Sequence, residues 1–413
     1  MSISLRKFIE KGAEIMNRNI YVLLVVRIVA NFADSFYFLA SIWFVKENTD
    51  STFWIGLAGF VAMIPVAFQF LYGPLIDRYS KKVLLLISMG VQAAILMLLA
   101  TLYVIGHLTV AGVITLLFIA TLASELSYPT EHALVPILVK QKDLQKVNSL
   151  FAFTYHSLDV VCNALAGIVL TFIGVGLVYT SNAFLYLLLC AGVGLALRID
   201  EVVWESNKEN RQSSYYQELK EGFRYFWNLG YLRRFIFVFT LLNLLITISL
   251  GLLPILAPTE FLYGSWLTAI SIGTLIGSGV SMRLGEHRLR LIFIGATSVG
   301  GMTWLISSIW LTTNLKLVLF FFAISWIAIG MMGIQFQTLL QRQIEASYLG
   351  RTLTVIYAVQ GVLAPFGYLL GGTLADFVSH LFLYVIGAIT LLLASLYFFV
   401  DSFLKHVSVP DRE

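Results

Sequence analysis

The strongest constraint on this chain is a succession of apolar runs that are long enough to cross a membrane. A helix needs about 20 mostly apolar residues to span the hydrocarbon core. Twelve such runs are present, at roughly 20–45, 53–76, 83–105, 108–137, 148–172, 175–198, 233–256, 262–282, 290–312, 316–335, 352–375 and 379–400. Charged residues make up only 12% of the chain, against about 25% in soluble domains. These runs predict an all-α membrane protein, because helices satisfy their own backbone hydrogen bonds in lipid.

The distribution of Lys and Arg predicts the orientation of the chain. If the N-terminus is placed in the cytoplasm, all but three of the 27 Lys and Arg residues fall in cytoplasmic loops or tails. The exceptions are Lys46 and Lys316 in outer loops and Arg27 inside the first run. Because short cytoplasmic loops carry an excess of positive charge, both termini are expected in the cytoplasm.

A long polar stretch divides the chain into two halves of six runs. We predict an N-terminal amphipathic segment (1–19), a first bundle (20–198), a central loop (199–232), a second bundle (233–400) and a cytoplasmic tail (401–413). Within the central loop, residues Tyr215–Trp227 place apolar side chains on one face, which is typical of an interfacial helix. The two halves show a faint sequence repeat with an offset of about 205 residues.

A short charged segment separates the second and third runs. A glycine there permits a tight bend, and one carboxylate lies next to three cations. Ion pairs in such a segment can hold a helix pair together and release it when the protein changes shape. We therefore predict a conformational latch formed by Gly73, Asp77, Arg78, Lys81 and Lys82.

This segment resembles the loop signature between the second and third helices of the major facilitator superfamily. Ile76 and Ser80 depart from the usual small residue and glycine. The stretches 27–34, 128–148 and 337–351 are similar to bacterial macrolide-efflux and siderophore-exporter proteins of that superfamily. The resemblance extends over effectively the whole chain. It implies two pseudo-symmetric six-helix bundles, with the first, fourth, seventh and tenth helices lining a central cavity.

Charged side chains inside the runs are candidate functional groups, because a charge at the centre of a membrane helix costs about 2.5–3.5 kcal/mol. In the first run, Arg27, Asn31 and Asp34 share one helix face. Arg27 and Asp34 lie about 10 Å apart along the axis, so each is expected to contact another helix.

The fourth and fifth runs carry further ionisable residues. In the fourth, Glu125 and His132 share a face, whereas Glu131 is assigned to another. In the fifth, Asp159 is a candidate partner for Arg27. Two interpretations stay open: Asp34 and Glu125 bind protons or a cationic substrate in the cavity, or these residues form a structural polar network. Burial disfavours the charged form of a carboxyl, which suits a proton carrier.

The predicted function is export of hydrophobic or amphiphilic small molecules, such as macrolides, by proton antiport with alternating access. Antiporters of the superfamily usually carry a Gly-Pro-rich fifth helix, but here Gly167 and Gly174 lack the proline. Alternative cargoes are a siderophore or metallophore, a lipid or a peptide. A receptor that transports nothing is a further alternative.

The expected partners are a small-molecule substrate, protons and the lipid bilayer of a bacterial cytoplasmic membrane. No nucleic-acid partner is expected, and the protein is predicted to be a monomer. Cys162 and Cys190 both lie in apolar runs and indicate neither a disulfide framework nor a metal site. We find no Walker motif or nucleophile constellation. We therefore predict no enzymatic activity, no cofactor and no metal.

Overall fold

The computed structural model describes residues 18–139, 144–198, 215–281, 283–284, 289–345 and 348–401. This part of the chain is helical and contains no strand. Ten of its helices are long and apolar enough to cross a membrane, and Thr52–Ala67 is a shorter apolar helix. The helix Leu144–Ala196 contains two of the predicted runs, which separate at Gly174 (φ 70°, ψ 170°). That left-handed conformation favours glycine, and counting the two parts separately yields twelve spans.

The helices follow the predicted runs closely, and we number the spans 1 to 12 in chain order. They are Arg18–Glu47 (span 1), Thr52–Ala67 with Tyr72–Arg78 (span 2), Lys81–Val104 (span 3), Val110–Leu138 (span 4), Leu144–Ala196 (spans 5 and 6), Tyr231–Leu250 with Leu253–Leu256 (span 7), Glu260–Ser281 (span 8), Leu289–Ile309 (span 9), Leu315–Gln343 (span 10), Leu349–Val362 with Ala364–Ala375 (span 11) and His380–Val400 (span 12).

Spans 4 and 5 of the first half repeat as spans 10 and 11 of the second with a constant offset. Span 4 begins and ends 205 residues before span 10, at Val110–Leu138 and Leu315–Gln343. The same offset relates the first residue of span 5 to that of span 11, Leu144 to Leu349. The repeat predicted from the sequence is therefore present in the helix boundaries. The break at Gly174 likewise precedes the N-cap of span 12, Ser379, by 205 residues, so residues of spans 4 to 6 can be compared with their counterparts in spans 10 to 12.

Packing is mostly within each half. In the first half, span 1 packs on spans 4 and 6 and span 3 packs on span 4; in the second half, span 10 packs on spans 8 and 9, and span 12 on spans 7 and 9. Two helix pairs join the halves, span 2 with span 11 and span 5 with span 8. The protein is thus a pair of six-helix bundles with interfaces on two sides.

Glycines allow the halves to approach closely at one end of the molecule. We call this the distal end; it carries the loops that follow the odd-numbered spans. A Cβ atom at Gly167 would lie 2.7 Å from the Cα of Gly264, and one at Gly56 would lie 2.8 Å from the Cα of Gly372. Such short separations exclude any side chain. The first pair joins spans 5 and 8, and the second joins spans 2 and 11.

Two polar contacts join the same end. Lys46 Nζ donates a hydrogen bond to the Ala257 carbonyl, and Thr52 Oγ1 donates to the Gly372 carbonyl at 2.5 Å. Lys46 lies in the last turn of span 1 and Ala257 directly follows span 7, and these two spans are counterparts in the two halves. The two bundles are therefore in contact at the distal end.

The bend between spans 2 and 3 differs in position from the sequence prediction. Gly73 lies inside the short helix Tyr72–Arg78 with helical neighbours, so it does not supply the turn. The chain instead turns at Tyr79 (φ −110°, ψ 156°) and Ser80 (φ −59°, ψ 123°), both in extended conformations. Since these angles are open to any residue, the turn needs no glycine.

The interfacial helix predicted in the central loop is present at Tyr215–Asn228. Phe226 is buried in the core of the second half, whereas Phe223 and Trp227 are exposed and stack on each other. The Tyr225 ring stacks on Tyr348, 4.6 Å between centroids. The helix is therefore attached to the start of span 11. Residues 199–214 of the predicted loop, as well as the segments 1–17 and 402–413, lie outside the described residues.

Candidate functional site

A buried ion pair joins spans 1 and 4. Arg27 Nε donates to Glu131 Oε2 at 2.9 Å, and Arg27 Nη2 lies 2.8 Å from the same oxygen. Arg27 is 6% exposed and Glu131 only 1%. The guanidinium also lies over the Tyr128 ring, 4.9 Å from its centroid, a cation–π contact. The positive charge inside span 1 is thus matched by an adjacent carboxylate.

Glu131 was not among the site residues predicted from the sequence. We assigned it to a different helix face from Glu125, whereas spans 1 and 4 meet along a face that includes Glu131 and Tyr128. The two helices run antiparallel, so seven residues forward from Arg27 to Asp34 match seven residues back from Glu131 to Ser124. Only this register between distant helices identifies the partner.

Asp34 lies about midway along span 1 and is partly buried. Its carboxylate accepts a hydrogen bond from Ser124 Oγ on span 4 at 2.8 Å and one from the Tyr186 hydroxyl on span 6 at 2.5 Å. The expectation that Asp34 contacts another helix is therefore confirmed. Both of these donors are neutral, so the contacts hold the carboxylate in place without cancelling its charge.

Glu125 is also held by a neutral donor. Gln69 Nε2 donates a hydrogen bond to Glu125 Oε2. Gln69 lies in the 3₁₀ turn Gln69–Leu71, where the helix of span 2 is interrupted. Three residues later, the Tyr72 hydroxyl donates a hydrogen bond to the Leu122 carbonyl at 2.8 Å. A glutamine in an apolar run carries no pattern that would have identified it, so Gln69 was missed.

The other predicted residues are placed less centrally. Asn31 is 8% exposed and lies on the helix face between Arg27 and Asp34. His132 is exposed, and its ring packs on Tyr128 with 4.4 Å between centroids. The side chain of Asp159 lies outside the described residues. Its predicted contact with Arg27 stays a prediction.

The predicted latch is only partly described. Lys82 Nζ donates to the carbonyls of Gly194 and Leu197, each at 2.8 Å. These carbonyls are at the C-terminus of span 6, where the helix dipole favours a cation. Lys81 Nζ lies 3.4 Å from the Ile76 carbonyl.

Arg78 is exposed, and the side chain of Asp77 lies outside the described residues. Lys82 therefore connects span 3 to span 6, a contact that the sequence did not predict. The ion pairs expected around Asp77 stay a prediction.

The second half replaces this polar arrangement with apolar side chains. By the offset of 205 residues, Glu131 on span 4 corresponds to Phe336 on span 10. Phe336 stacks on Phe239 of span 7, with 4.0 Å between ring centroids, just as Glu131 pairs with Arg27 of span 1. The fold can therefore fill these positions without charge. The charge of Glu131 is not required for packing at this position.

Two six-helix repeats of apolar spans, with an ion pair buried inside the first, form a multi-pass membrane protein. The chain belongs to the Major Facilitator Superfamily, whose sequence description matches residues 23–366. Members of this family move solutes across membranes, and the protein is not an enzyme.

Three known proteins illustrate the relationship. The chain is 24% identical to macrolide efflux protein A of Streptococcus pyogenes, over 84% of this chain and 87% of that protein. It is 23% identical to the uncharacterized MFS-type transporter YvqJ of Bacillus subtilis, over 88% of this chain and 87% of the relative. The crystal structure of the nucleoside transporter NupG superposes with a TM-score of 0.69 at 13% identity, over 93% and 99% of the two chains. The structural similarity shows the fold alone.

Proposed function

We propose that this protein exports a hydrophobic or amphiphilic small molecule across the bacterial cytoplasmic membrane in exchange for protons. The observation that carries the proposal is that three buried or partly buried acids have different kinds of partner. Glu131 neutralises Arg27, whereas Asp34 and Glu125 accept hydrogen bonds from neutral donors. Neither of these two carboxyls forms an ion pair within the described part of the chain.

The energetics of burial explain why such carboxyls suit a coupled transporter. An ionised carboxylate in a low-dielectric site is costly unless a charge or several hydrogen bonds compensate it. Binding a proton removes that cost, and so does binding a cationic substrate. A carboxylate that is stabilised by a proton or by a cationic substrate, but can bind only one of them at a time, exchanges the proton for the substrate. Asp34 and Glu125, on spans 1 and 4, are the groups we propose for this exchange.

The contacts between the bundles support an alternating-access cycle. The halves meet at the distal end through Gly167 with Gly264 and through Gly56 with Gly372. If the termini lie in the cytoplasm, as the Lys and Arg distribution predicts, this conformation is closed to the outside. Rocking the bundles about their two interfaces would open the distal end, as in other transporters built from repeated halves. Residues 73–82 would then act as the latch for one of the two states.

The nature of the cargo rests on the sequence relatives. Macrolide efflux protein A is named for the efflux of macrolides, which are large and lipophilic, and it aligns over most of this chain. We propose cargo of that general kind, and the division at 20–198, 199–232 and 233–400 as the mechanical units of a monomeric exporter.

A flux assay tests the proposal. Purified protein in liposomes, with an imposed pH gradient, is assayed over a panel of macrolides and lipophilic dyes while an enclosed pH indicator records proton movement. We expect uphill substrate transport with opposing proton flux. The variant Asp34→Asn should be produced and folded but should lose uphill transport. Asp376→Asn, which removes an exposed acid at the distal end of span 11, is the matched control and should transport normally. Normal uphill export by Asp34→Asn would refute a coupling role for Asp34.

A further inference from the structure

A buried line of polar side chains runs between spans 1 and 6, from Asp34 towards the distal end. On both helices the residues recur at intervals of three and four, so each set occupies one helix face. The Asp34 carboxylate accepts from the Tyr186 hydroxyl, and two turns further on Ser41 Oγ lies 3.0 Å from the Tyr179 hydroxyl. We call this line the polar seam; it consists of Asp34, Tyr37, Ser41, Tyr179, Asn182 and Tyr186.

Asn182 is the unusual member of the polar seam. It lies one turn from Tyr179 and one turn from Tyr186, between the two hydrogen-bonded rungs, and is 0% exposed. Neither its Oδ1 nor its Nδ2 has a hydrogen-bond partner among the described residues. A buried amide without partners costs several kcal/mol, so native proteins satisfy such groups with protein atoms or bound water. Asn182 therefore indicates a water site inside the first bundle.

The polar seam extends to the surface at its distal end. Tyr103, at the end of span 3, is 40% exposed. A Cβ atom at Gly176 would lie 2.6 Å from the Tyr103 ring, so this glycine allows the ring to lie against the start of span 6. Gly176 precedes Tyr179, the outermost tyrosine of the seam, by three residues, so the Tyr103 ring lies within about one helix turn of it along span 6. Polar groups thus lead from the exposed side chain of Tyr103 to Asp34. The part of this line from Ser41 to Asp34 covers about 10 Å along span 1.

The second half shows that this line is not needed for packing. By the same offset, Tyr179 corresponds to Tyr384, whose hydroxyl lies 2.8 Å from Ser307 Oγ. Tyr384 thus also has a serine partner, but that serine lies on span 9 and not on the counterpart of span 1. Asn182, however, corresponds to Gly387, where a Cβ atom would lie 2.5 Å from the Trp304 ring. The counterpart of the polar amide is a position filled by an aromatic ring.

The inner rung is also apolar in the second half. Tyr186 corresponds to Leu391, which is 1% exposed and belongs to the hydrophobic core. Because the fold packs these positions with apolar groups in one half, polar residues there in the other half point to a role beyond packing.

We propose that water bound at Asn182 completes a proton path from the distal end of the first bundle to Asp34. Hydroxyls and water each donate and accept, so a proton taken up at the outer rung is passed on as each group releases its own. The Tyr186 hydroxyl already donates to Asp34, the orientation needed for delivery. No group in the seam changes its net protonation, and the Asp34 carboxylate becomes the carboxylic acid.

This path rests on the proposed function, because it assigns Asp34 as the proton acceptor, and it adds a route. The polar seam lies wholly within the first bundle, away from the interfaces of spans 2 and 5 with the second bundle. Protons could therefore reach Asp34 from outside while the bundles are closed at the distal end. Arg27, Glu125 and Glu131 are the other charged groups that act on Asp34 in the described structure.

Hydration of the polar seam can be measured without transport. Hydroxyl radicals generated by X-ray radiolysis of bound water label adjacent side chains, and mass spectrometry reports the rate. We expect Tyr179 to be labelled severalfold faster than Tyr384, which is equally buried and also paired with a serine hydroxyl. The variant Asn182→Val should lower the labelling rate of Tyr179. The variant Asn182→Thr, in which threonine has the shape of valine but carries a hydroxyl, should preserve that rate. Equal rates for Tyr179 and Tyr384 in the wild type would overturn the proposal.

Transport by the same two variants tests the path itself. Asn182→Val should keep substrate exchange across the liposome membrane but slow proton-coupled export severalfold, and Asn182→Thr should restore it. If Asn182→Val exports as fast as the wild type, or if both variants lose exchange alike, the seam is structural and the proposal is wrong. If the wild type moves substrate without protons, both the coupling hypothesis and the path fail. If Asn182→Val loses the labelling of Tyr179 but keeps proton-coupled export, the proposed path is wrong and the coupling hypothesis stands.

Discussion

The pair between Arg27 and Glu131 offers a direct test of what stabilises the first bundle. Replacing Glu131 by Gln keeps the size of the side chain and removes its charge. Arg27 is then left as a cation that is 6% exposed, in a membrane-spanning helix. Breaking a buried pair by removing one partner costs about 3–5 kcal/mol. Both contacts of Arg27 use the single oxygen Oε2, and the glutamine amide oxygen can still accept, so we expect the lower end of that range.

Removing both charges should cost far less than removing one. At the matching contact the second half holds an apolar pair, Phe239 stacked on the buried Phe336. The double variant Arg27→Leu with Glu131→Leu imitates that arrangement. Replacing a buried pair by apolar residues is often neutral or stabilising. We therefore expect the double variant to lie within about 1 kcal/mol of the wild type and the two single losses to be strongly non-additive.

Reversible denaturant unfolding in mixed micelles provides the free energies, with linear extrapolation to zero denaturant. The four proteins of the cycle are compared with Asp376→Asn, an exposed substitution expected to change the free energy of unfolding by less than about 0.5 kcal/mol. A loss below about 0.5 kcal/mol for Glu131→Gln, equal to that surface change, would show that the pair is unimportant. Additive losses in the double variant would show that the two side chains do not act together.

Three further predictions concern the contacts between helices. Gly264→Leu places a side chain against Gly167, where a Cβ atom alone would lie 2.6 Å from Cα; spin labels on spans 5 and 8 should then show a longer distal distance, and an unchanged distance would contradict the glycine contact. Lys82→Met removes the donor at the C-terminus of span 6 and should lower the free energy of unfolding by about 0.3–1 kcal/mol; no change would mean that the lysine is solvated rather than bound. Asp77→Asn should reduce substrate flux while substrate binding, measured by a thermal shift, persists; normal flux would exclude the latch.

Much of this architecture could be predicted from the sequence, because it depends on local composition. The length of the apolar runs determines the spans, and the helix boundaries agree with those runs. The position of Asp34 at mid-span follows from counting residues. The sequence repeat predicted two related halves, and spans 4 and 5 preserve its offset in spans 10 and 11. The sequence predicts a turn between spans 2 and 3 and places it at Gly73, whereas the turn lies at Tyr79 and Ser80. Composition indicates that a turn exists, but not which residue adopts extended angles.

The partners of the polar residues were decided by the tertiary structure. Arg27 meets Glu131 because spans 1 and 4 pack in one antiparallel register, and that register is set by side chains 104 residues apart in the chain. Asn182 looks like any polar residue in an apolar run until its neighbours show that it is buried between two hydrogen-bonded rungs. Burial in lipid can be read from local sequence because it depends on each residue's own polarity. Pairing inside the bundle depends on how helices from distant parts of the chain pack together.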